Sequence, residues 1–270
     1  MVQLIWDNPG ERHFEAGLDR GVLYPDSNIG VAWNGLVSVK EAPSGGEPKP
    51  YYLDGVKFLN VPSTEEYSGT IEAFTYPNEF EELDGSMALY TGVFVNQQLR
   101  KSFGLSYRTK LGNDLVGIDK GYKIHLIYNA VASPSEKTFD SLGDAPEAIA
   151  FSWDFTTTPI DIAPGIKPMA HITIDSTRIS PLMLKYIEQN LYGTSSTQPQ
   201  FMTPQDIIAL YNTILPGHFL IEEDIVTGLS QLIEGAGSDL EAGEEDGLYI
   251  APEVSRLVET AEAGLYILED

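Results

Sequence analysis

Histidines and acidic side chains are the groups of this 270-residue chain whose types could do chemistry: four of the first and 40 of the second. The histidines His13, His125, His171 and His218 are widely spaced. His125 and His171 alternate with apolar neighbours in strand-like runs, which places them in solvent or in hydrogen bonds rather than on a metal. Acid-rich patches at Glu65-Glu66 and at Glu79, Glu81, Glu82 and Asp84 offer carboxylate pairs of the kind glycoside hydrolysis uses. With 40 acids some pairing is guaranteed, and nothing near these patches implies the split in acidity such a pair needs, so they read as solvated faces. Asp239, Glu241, Glu244, Glu245 and Asp246 lack the alternate spacing and central glycine of a calcium loop. No glycine-rich phosphate loop, nucleophile elbow or His-Glu-x-x-His pair occurs. The expectation is a chain with no catalytic residue, no cofactor and no metal.

The elements that would have to position such groups are mostly strands. Alternation with a two-residue period runs through Gly69–Tyr76, Phe103–Leu111, Tyr122–Tyr128, Ala148–Thr157 and Ala170–Ile174. The second and third of these flank Gly112–Gly121, a connection rich in turn formers, and together they predict a long hairpin with a mobile or partner-held tip. Ser180-Pro181 opens a helix with Pro181 at the first helical position, an apolar face of Leu182, Leu184, Ile187 and Leu191, and Gly193 as its end. Thr203-Pro204 opens a shorter one through Ile207, Ile208, Leu210 and Tyr211. The fold class predicted is α+β, mainly β. Trp33 and Trp153 fall in apolar strand patterns and read as core rather than as carbohydrate-stacking platforms.

Charge bounds the function further. The 40 acids against 16 bases give a formal net charge of −24 and a pI near 4.3. Such a surface repels phosphate backbones, which excludes ordinary duplex binding without excluding a protein that surrounds DNA and does not hold it. Residues 216–270 hold 14 of those acids and one base, Arg256, so they carry −13 of the −24. This acidic C-terminal extension is expected to be separate from a main domain over 1–215. It contains three similar phrases, starting at Gly217, Gly247 and Gly264, that suggest short β repeats packed on the body or an arm reaching a neighbour. Cysteine is absent, which suits a reducing cytoplasm. No secretory signal opens the chain and no apolar run approaches the ~20 residues that cross a bilayer, so a soluble protein without a membrane span is expected.

The densest local signal is Gly10 to Glu47. Val22-Leu23-Tyr24 ends in the turn cluster Pro25-Asp26-Ser27-Asn28, and Gly30-Val31-Ala32-Trp33 runs into Asn34-Gly35 before Leu36, Val37 and Val39 resume. The Asn-Gly dipeptide between two apolar runs predicts a tight hairpin there.

In their order, Gly10-Glu11-Arg12, Asp19 to Pro25, Gly30 to Leu36 and Pro43 to Glu47 resemble the N-terminal signature of major tail tube proteins of long-tailed, non-contractile (siphovirus-type) bacteriophages, particularly those of actinobacterial hosts. Similar phrases follow in sequence at Tyr76–Phe80, Phe103–Thr109, Gly112–Asp114, Gly121–Leu126, Ser133–Glu136, Pro146–Ala148, Phe151–Trp153, Ile174–Thr177 and Leu191–Thr194. The resemblance covers about residues 1–215 and loosens beyond. It implies a β-sandwich or barrel-like sheet with a flanking helix, in subunits that form stacked hexameric rings. The implied partners are further copies of the chain, a tape measure protein in the lumen, and tail terminator and distal tail proteins at the tube ends. DNA would pass through without specific binding, in a virion tail assembled in the host cytoplasm. Subunit-contact candidates on this reading are Arg12, Asp19, Arg20, Ser44, Gly45, Gly46 and Glu47 near the N-terminus, with Asn113, Asp114, Asp119 and Lys120 at the long hairpin's tip. Two other classes fit the composition: an acidic β-sandwich that adheres to carbohydrate, and, more remotely, a hydrolase.

Overall fold

A computed structural model of the chain describes residues 6–26, 28–139, 141, 149–163 and 165–214, and four short strands beyond them (241–242, 249–250, 257–259 and 266–268). In chain order the elements are β1 (His13–Tyr24), β2 (Val31–Ala32), β3 (Leu36–Glu41), β4 (Ser44–Gly45), β5 (Lys49–Leu53), β6 (Val56–Val61), β7 (Glu65–Glu66), β8 (Ser68–Ala73), α1 (Phe80–Leu83), β9 (Met87–Tyr90) and β10 (Val93–Val95). They continue with β11 (Phe103–Asn113), β12 (Gly117–Ala132), β13 (Phe151–Thr157), β14 (His171–Asp175), α2 (Pro181–Tyr192), α3 (Pro204–Ile214), β15 (Glu241–Ala242), β16 (Tyr249–Ile250), β17 (Leu257–Glu259) and β18 (Tyr266–Leu268). The protein is mainly β with a few helices, as its alternation predicts.

One antiparallel sheet dominates, in the order β2-β1-β11-β12-β13-β8-β3. β12 is long enough to serve two neighbours on one side, pairing β14 through Lys123–Ile127 and β13 through Ala130–Ala132. The two edge strands, β2 and β3, are consecutive in sequence, so the sheet curls until Trp33-Asn34-Gly35 links its opposite edges. The approach is close: a Cβ on Gly21 of β1 would come within 2.6 Å of Leu36 on β3. No ladder joins β2 to β3 among the described residues, so the sheet stays open and the barrel-like alternative is not realised.

This corrects the expected Asn34-Gly35 hairpin. Gly35 does take the left-handed conformation (φ +78°), but β2 pairs with β1 and β3 with β8. The turn chemistry is local and was legible, whereas strand partners are chosen by long-range burial. The corner is pinned to the segment after β8: Phe74 N donates to Gly35 O (2.8 Å), Thr75 Oγ1 to Asn34 O (2.6 Å) and Trp33 Nε1 to Thr75 O (2.9 Å).

Alternation along the strands divides the core between the two faces of the sheet. Inside the curl, Leu23, Ile71, Phe80, Leu105, Ile127, Trp153 and Phe155 pack with Trp33. On the other face, Val22, Tyr24, Ile124, Leu126 and Tyr128 meet Ile187 and Leu191 of α2. Bulges let one strand serve both sets. At Arg20 (φ +50°) the β1 register shifts, and at Asn129 (φ +47°) β12 changes parity so that Ala130 and Ala132 turn inward. Such an insertion bends and twists the strand, consistent with the curl of this sheet.

Helix α2 begins and ends where expected, with Pro181 in the first turn and Gly193 at positive φ after Tyr192. Its buried stripe is Met183, Ile187 and Leu191, an i, i+4, i+8 row, while Leu182 is exposed. Helix α3 is capped reciprocally: Thr203 Oγ1 donates to Asp206 Oδ2 (2.7 Å) and Asp206 N to Thr203 Oγ1 (3.2 Å). The chain divides into two compact units, Met1–Leu210 and Tyr211–Asp270. In the second, β15 pairs β16 and β17 pairs β18. The phrases from Gly247 and Gly264 thus each contribute a short strand, and the one from Gly217 lies outside the described residues. No described helix is long and apolar enough to cross a membrane.

Candidate assembly surface and an interior polar cluster

Two excursions from the main sheet expose apolar side chains. In the β5–β6 hairpin every residue is exposed, including Tyr51, Tyr52, Leu53, Val56, Phe58 and Leu59, which keep 40–70% of their surface in solvent. Its turn is Asp54-Gly55, both residues at positive φ, the conformation of the tightest hairpins. The β9–β10 hairpin likewise exposes Met87, Leu89, Tyr90, Val93 and Phe94. A lone two-stranded ladder is marginal in water, and exposed apolar patches are commonest where proteins meet partners. Neither hairpin is among the strands expected from alternation, although Asp54-Gly55 between two apolar runs carries the signal for the first.

The expected contact residues fall into three places. Ser44 and Gly45 form β4, which pairs β7; Gly46 N donates to Thr64 O (3.3 Å) and Glu47 O accepts from Ser63 Oγ (3.0 Å). All four are exposed, and they lead directly into β5. Asn113, Asp114, Asp119 and Lys120 lie at the tip of the β11–β12 hairpin, beside exposed Leu115, Val116 and Ile118. That pairing occurs as predicted, but the strands run on almost to the end, leaving Asp114-Leu115-Val116 as the connection instead of ten residues. The tip is also held from within: Gly10 N donates to Asp114 Oδ1 (2.9 Å), Asn113 Nδ2 to Gly10 O (3.1 Å), and Lys120 Nζ lies 3.0 Å from His13 Nδ1. Arg12 is exposed and reaches Asp7 O (3.5 Å). Asp19 and Arg20 sit apart from both groups. Asp19 binds Arg108, while Arg20 lies 3.7 Å from Glu188 and over the Tyr192 ring.

Inside the curl, the apolar core gives way at one end to a polar cluster that unites Glu41 (β3), Tyr67, Tyr107 (β11), His125 (β12) and His171 (β14). Four rings stack in series: Tyr107 on His125 (4.7 Å between centroids), His125 beside His171 (5.3 Å) and His171 on Tyr67 (4.9 Å). His125 Nδ1 lies 3.2 Å from His171 Nε2 and 3.5 Å from Glu41 Oε1, and His171 Nδ1 is 3.9 Å from Glu41 Oε2. Tyr107 Oη donates to Glu41 Oε1 (2.5 Å). Burial pushes both imidazoles below the ordinary histidine range, against the opposing pull of the Glu41 charge. Burial also holds the Tyr107 and Tyr67 phenols protonated, reinforced at Tyr107 by its hydrogen bond to Glu41 and at Tyr67 by the Glu41 charge. The Tyr67 hydroxyl is shut from solvent and makes no well-aligned hydrogen bond among the described residues, although the Tyr107 hydroxyl and the Glu41 carboxylate lie beside it. A surface pocket lined by Glu41, Tyr67 and His171 opens onto the cluster. The histidines are hydrogen-bonded, as their strand pattern suggested, yet their meeting with each other and with Glu41 was not legible.

No family model and no curated protein sequence matches the chain. Among solved structures it is similar to a chain of the sheath–tube complex of an extracellular contractile injection system in the extended state, at 15% identity and TM-score 0.28, over 58% of this chain and 88% of that one. It is also similar to a chain of the anti-feeding prophage baseplate (8% identity, TM-score 0.32, 65% and 100% covered) and to one of the cap that terminates the anti-feeding prophage tube (12%, 0.28, 65% and 96%). Likenesses at these scores assign nothing to this chain.

Proposed function

We propose that the protein is a non-enzymatic structural subunit of a phage tail tube, which self-associates into stacked hexameric rings and forms the conduit for genome delivery. The observation that carries this reading is the β5–β6 hairpin: an apolar ladder, exposed on both faces, that a single subunit leaves uncovered and a neighbouring copy would bury. The ordered sequence resemblance to siphovirus-type tail tube proteins over about residues 1–215 supports the same reading and extends it to actinobacterial hosts.

Exposed edge strands β2 and β3 are a liability in a free monomer, and closing a ring of copies is one way to bury edges without open-ended aggregation. The net charge of −24 fits a conduit, since DNA must pass without adhering. On this reading the partners are other copies, a tape measure protein in the lumen, and terminator and distal tail proteins at the ends. The place of action is the virion tail, after assembly in the host cytoplasm. Residues 216–270 are an acidic extension to the tube domain.

Electron microscopy of the purified chain tests this. Uniform hexagonal rings or hollow tubes are the expected result, and a monodisperse monomer at every concentration would refute it.

A further inference from the structure

We infer that Glu41, His125 and His171 form a binding site for a late first-row divalent metal ion of the Zn2+ class, which cross-braces edge strand β3 to β12 and β14. The inference is independent of the assembly reading. It revises the expectation of hydrogen-bonded histidines without a metal.

The distances fit first. One ligand atom from each of the three residues lies within 4.8 Å of the other two. Ligands of a tetrahedral zinc at about 2.0–2.2 Å stand roughly 3.3–3.6 Å apart. The separations of 3.2 Å from His125 Nδ1 to His171 Nε2 and 3.5 Å from His125 Nδ1 to Glu41 Oε1 lie close to that spacing; His171 turns its other nitrogen, Nδ1, toward Glu41 Oε2 (3.9 Å), so the third separation is wider and closes as the ion binds. Two imidazoles and a carboxylate are a donor set that suits zinc and its neighbours, and suits calcium or magnesium poorly.

Proton placement leaves His125 Nδ1 free of hydrogen and so able to act as a ligand. Thr109 Oγ1 donates to Glu15 Oε1, so toward His125 Nε2, 3.0 Å away, it is an acceptor and Nε2 carries the hydrogen. Glu15 Oε1 also lies 3.7 Å from that nitrogen. His125 therefore presents a bare Nδ1 lone pair toward His171 Nε2 and Glu41 Oε1. Glu41 Oε1 is itself an acceptor, already bound by the Tyr107 hydroxyl. In the metal-free protein the His125 lone pair accepts a hydrogen bond from His171 Nε2, and a shift of the His171 hydrogen to Nδ1, 3.9 Å from Glu41 Oε2, frees both facing nitrogens for an ion. A metal ligand whose other ring nitrogen is oriented by a hydroxyl and a carboxylate is the usual second layer of a zinc site. Three protein ligands leave a fourth position, and the surface pocket lined by Glu41, Tyr67 and His171 gives access to the cluster.

The competing arrangement is a hydrogen bond in place of the metal, with neutral His171 donating from Nε2 to His125 Nδ1. Titration separates the two. Full-length protein, freed of metal by a chelator, is titrated with Zn2+ by calorimetry, and its melting temperature is followed with and without the ion. Because 40 acids attract any divalent cation diffusely, the same titrations are run on His171→Gln and Glu41→Gln. The expected result is one equivalent of Zn2+ per chain, a melting temperature raised by roughly 5–10 °C at about 100-fold excess over Kd, and affinity lowered at least about tenfold in each variant. Absence of a one-equivalent site, or a site equally strong in both variants, overturns the inference. Should His171→Gln fail to fold, Glu41→Gln alone decides, since its side chain keeps its size.

Discussion

Asp19 and Arg108 form a two-pronged ion pair across β1 and β11, with Arg108 Nε 2.7 Å from Asp19 Oδ1 and Nη2 2.9 Å from Oδ2. The guanidinium also lies over the Tyr122 ring, 4.3 Å from its centroid, so it is fixed on two sides. The pair stands one residue before the bulge at Arg20 and locks the strand where its register shifts.

The hydrogen bonds from Arg108 hold the Asp19 carboxyl below its ordinary range, against the opposing effect of burial. A carboxyl depressed in the folded state contributes stability that is present in full above the unfolded pKa, about 3.9, and is lost as pH falls through the folded value. Asp19→Asn is therefore expected to cost about 1–2 kcal/mol near pH 7, after allowance for partial exposure. The variant's deficit should shrink as pH falls below about 4. Urea midpoints measured from pH 3 to 7 on both proteins check this.

Gly35 is at φ +78°, and an added Cβ would sit 2.5 Å from Thr75 Oγ1 and 3.1 Å from Thr75 N. Gly35→Ala is expected to destabilise by about 2–4 kcal/mol, because backbone strain and a clash coincide at the corner joining the two sheet edges. Gly55→Ala, at φ +77° with nothing within 4 Å, is the control and should cost only about 1 kcal/mol. Equal losses in thermal unfolding would mean that the corner is not held as described.

Trp153 is buried among Trp33, Tyr76 and Phe80, with ring centroids 5.0–6.0 Å away. Trp153→Ala should cost about 3–5 kcal/mol. Denaturant titration reads it, and a loss under about 1 kcal/mol would place this ring outside the core.

Repulsion between copies opposes assembly, and residues 216–270 carry −13 of the −24 charges. Assembly of the full chain is expected to rise as ionic strength goes from about 0.01 to 0.15 M, where the screening length falls from about 30 to 8 Å. Truncation after residue 215 should flatten that dependence, as measured by light scattering across the salt series.

Helix α2 was legible because its signals are local: proline in the first turn, an apolar stripe, and glycine past the end. The β11–β12 hairpin was legible because both strands alternate along their length. Asn34-Gly35 misled because a turn dipeptide fixes its own dihedrals but not the strands' partners. The Glu41, His125 and His171 cluster stayed hidden for a related reason. The residues are 84 and 46 positions apart in sequence, and only the curl of the sheet brings β3 over β12 and β14. Bulges such as those at Arg20 and Asn129 reverse the parity of a strand without any strong composition cue.

The most direct test of self-association through the β5–β6 hairpin is the assembly state of wild type against a Tyr52→Asp, Phe58→Asp double variant, measured by analytical ultracentrifugation. Both side chains are exposed, so monomer stability should change by no more than about 0.5 kcal/mol per site. Wild type should sediment as rings or tubes and the variant as a folded monomer with an unchanged melting temperature. A wild type that stays monomeric at every concentration, or a variant that assembles equally well, would contradict the account.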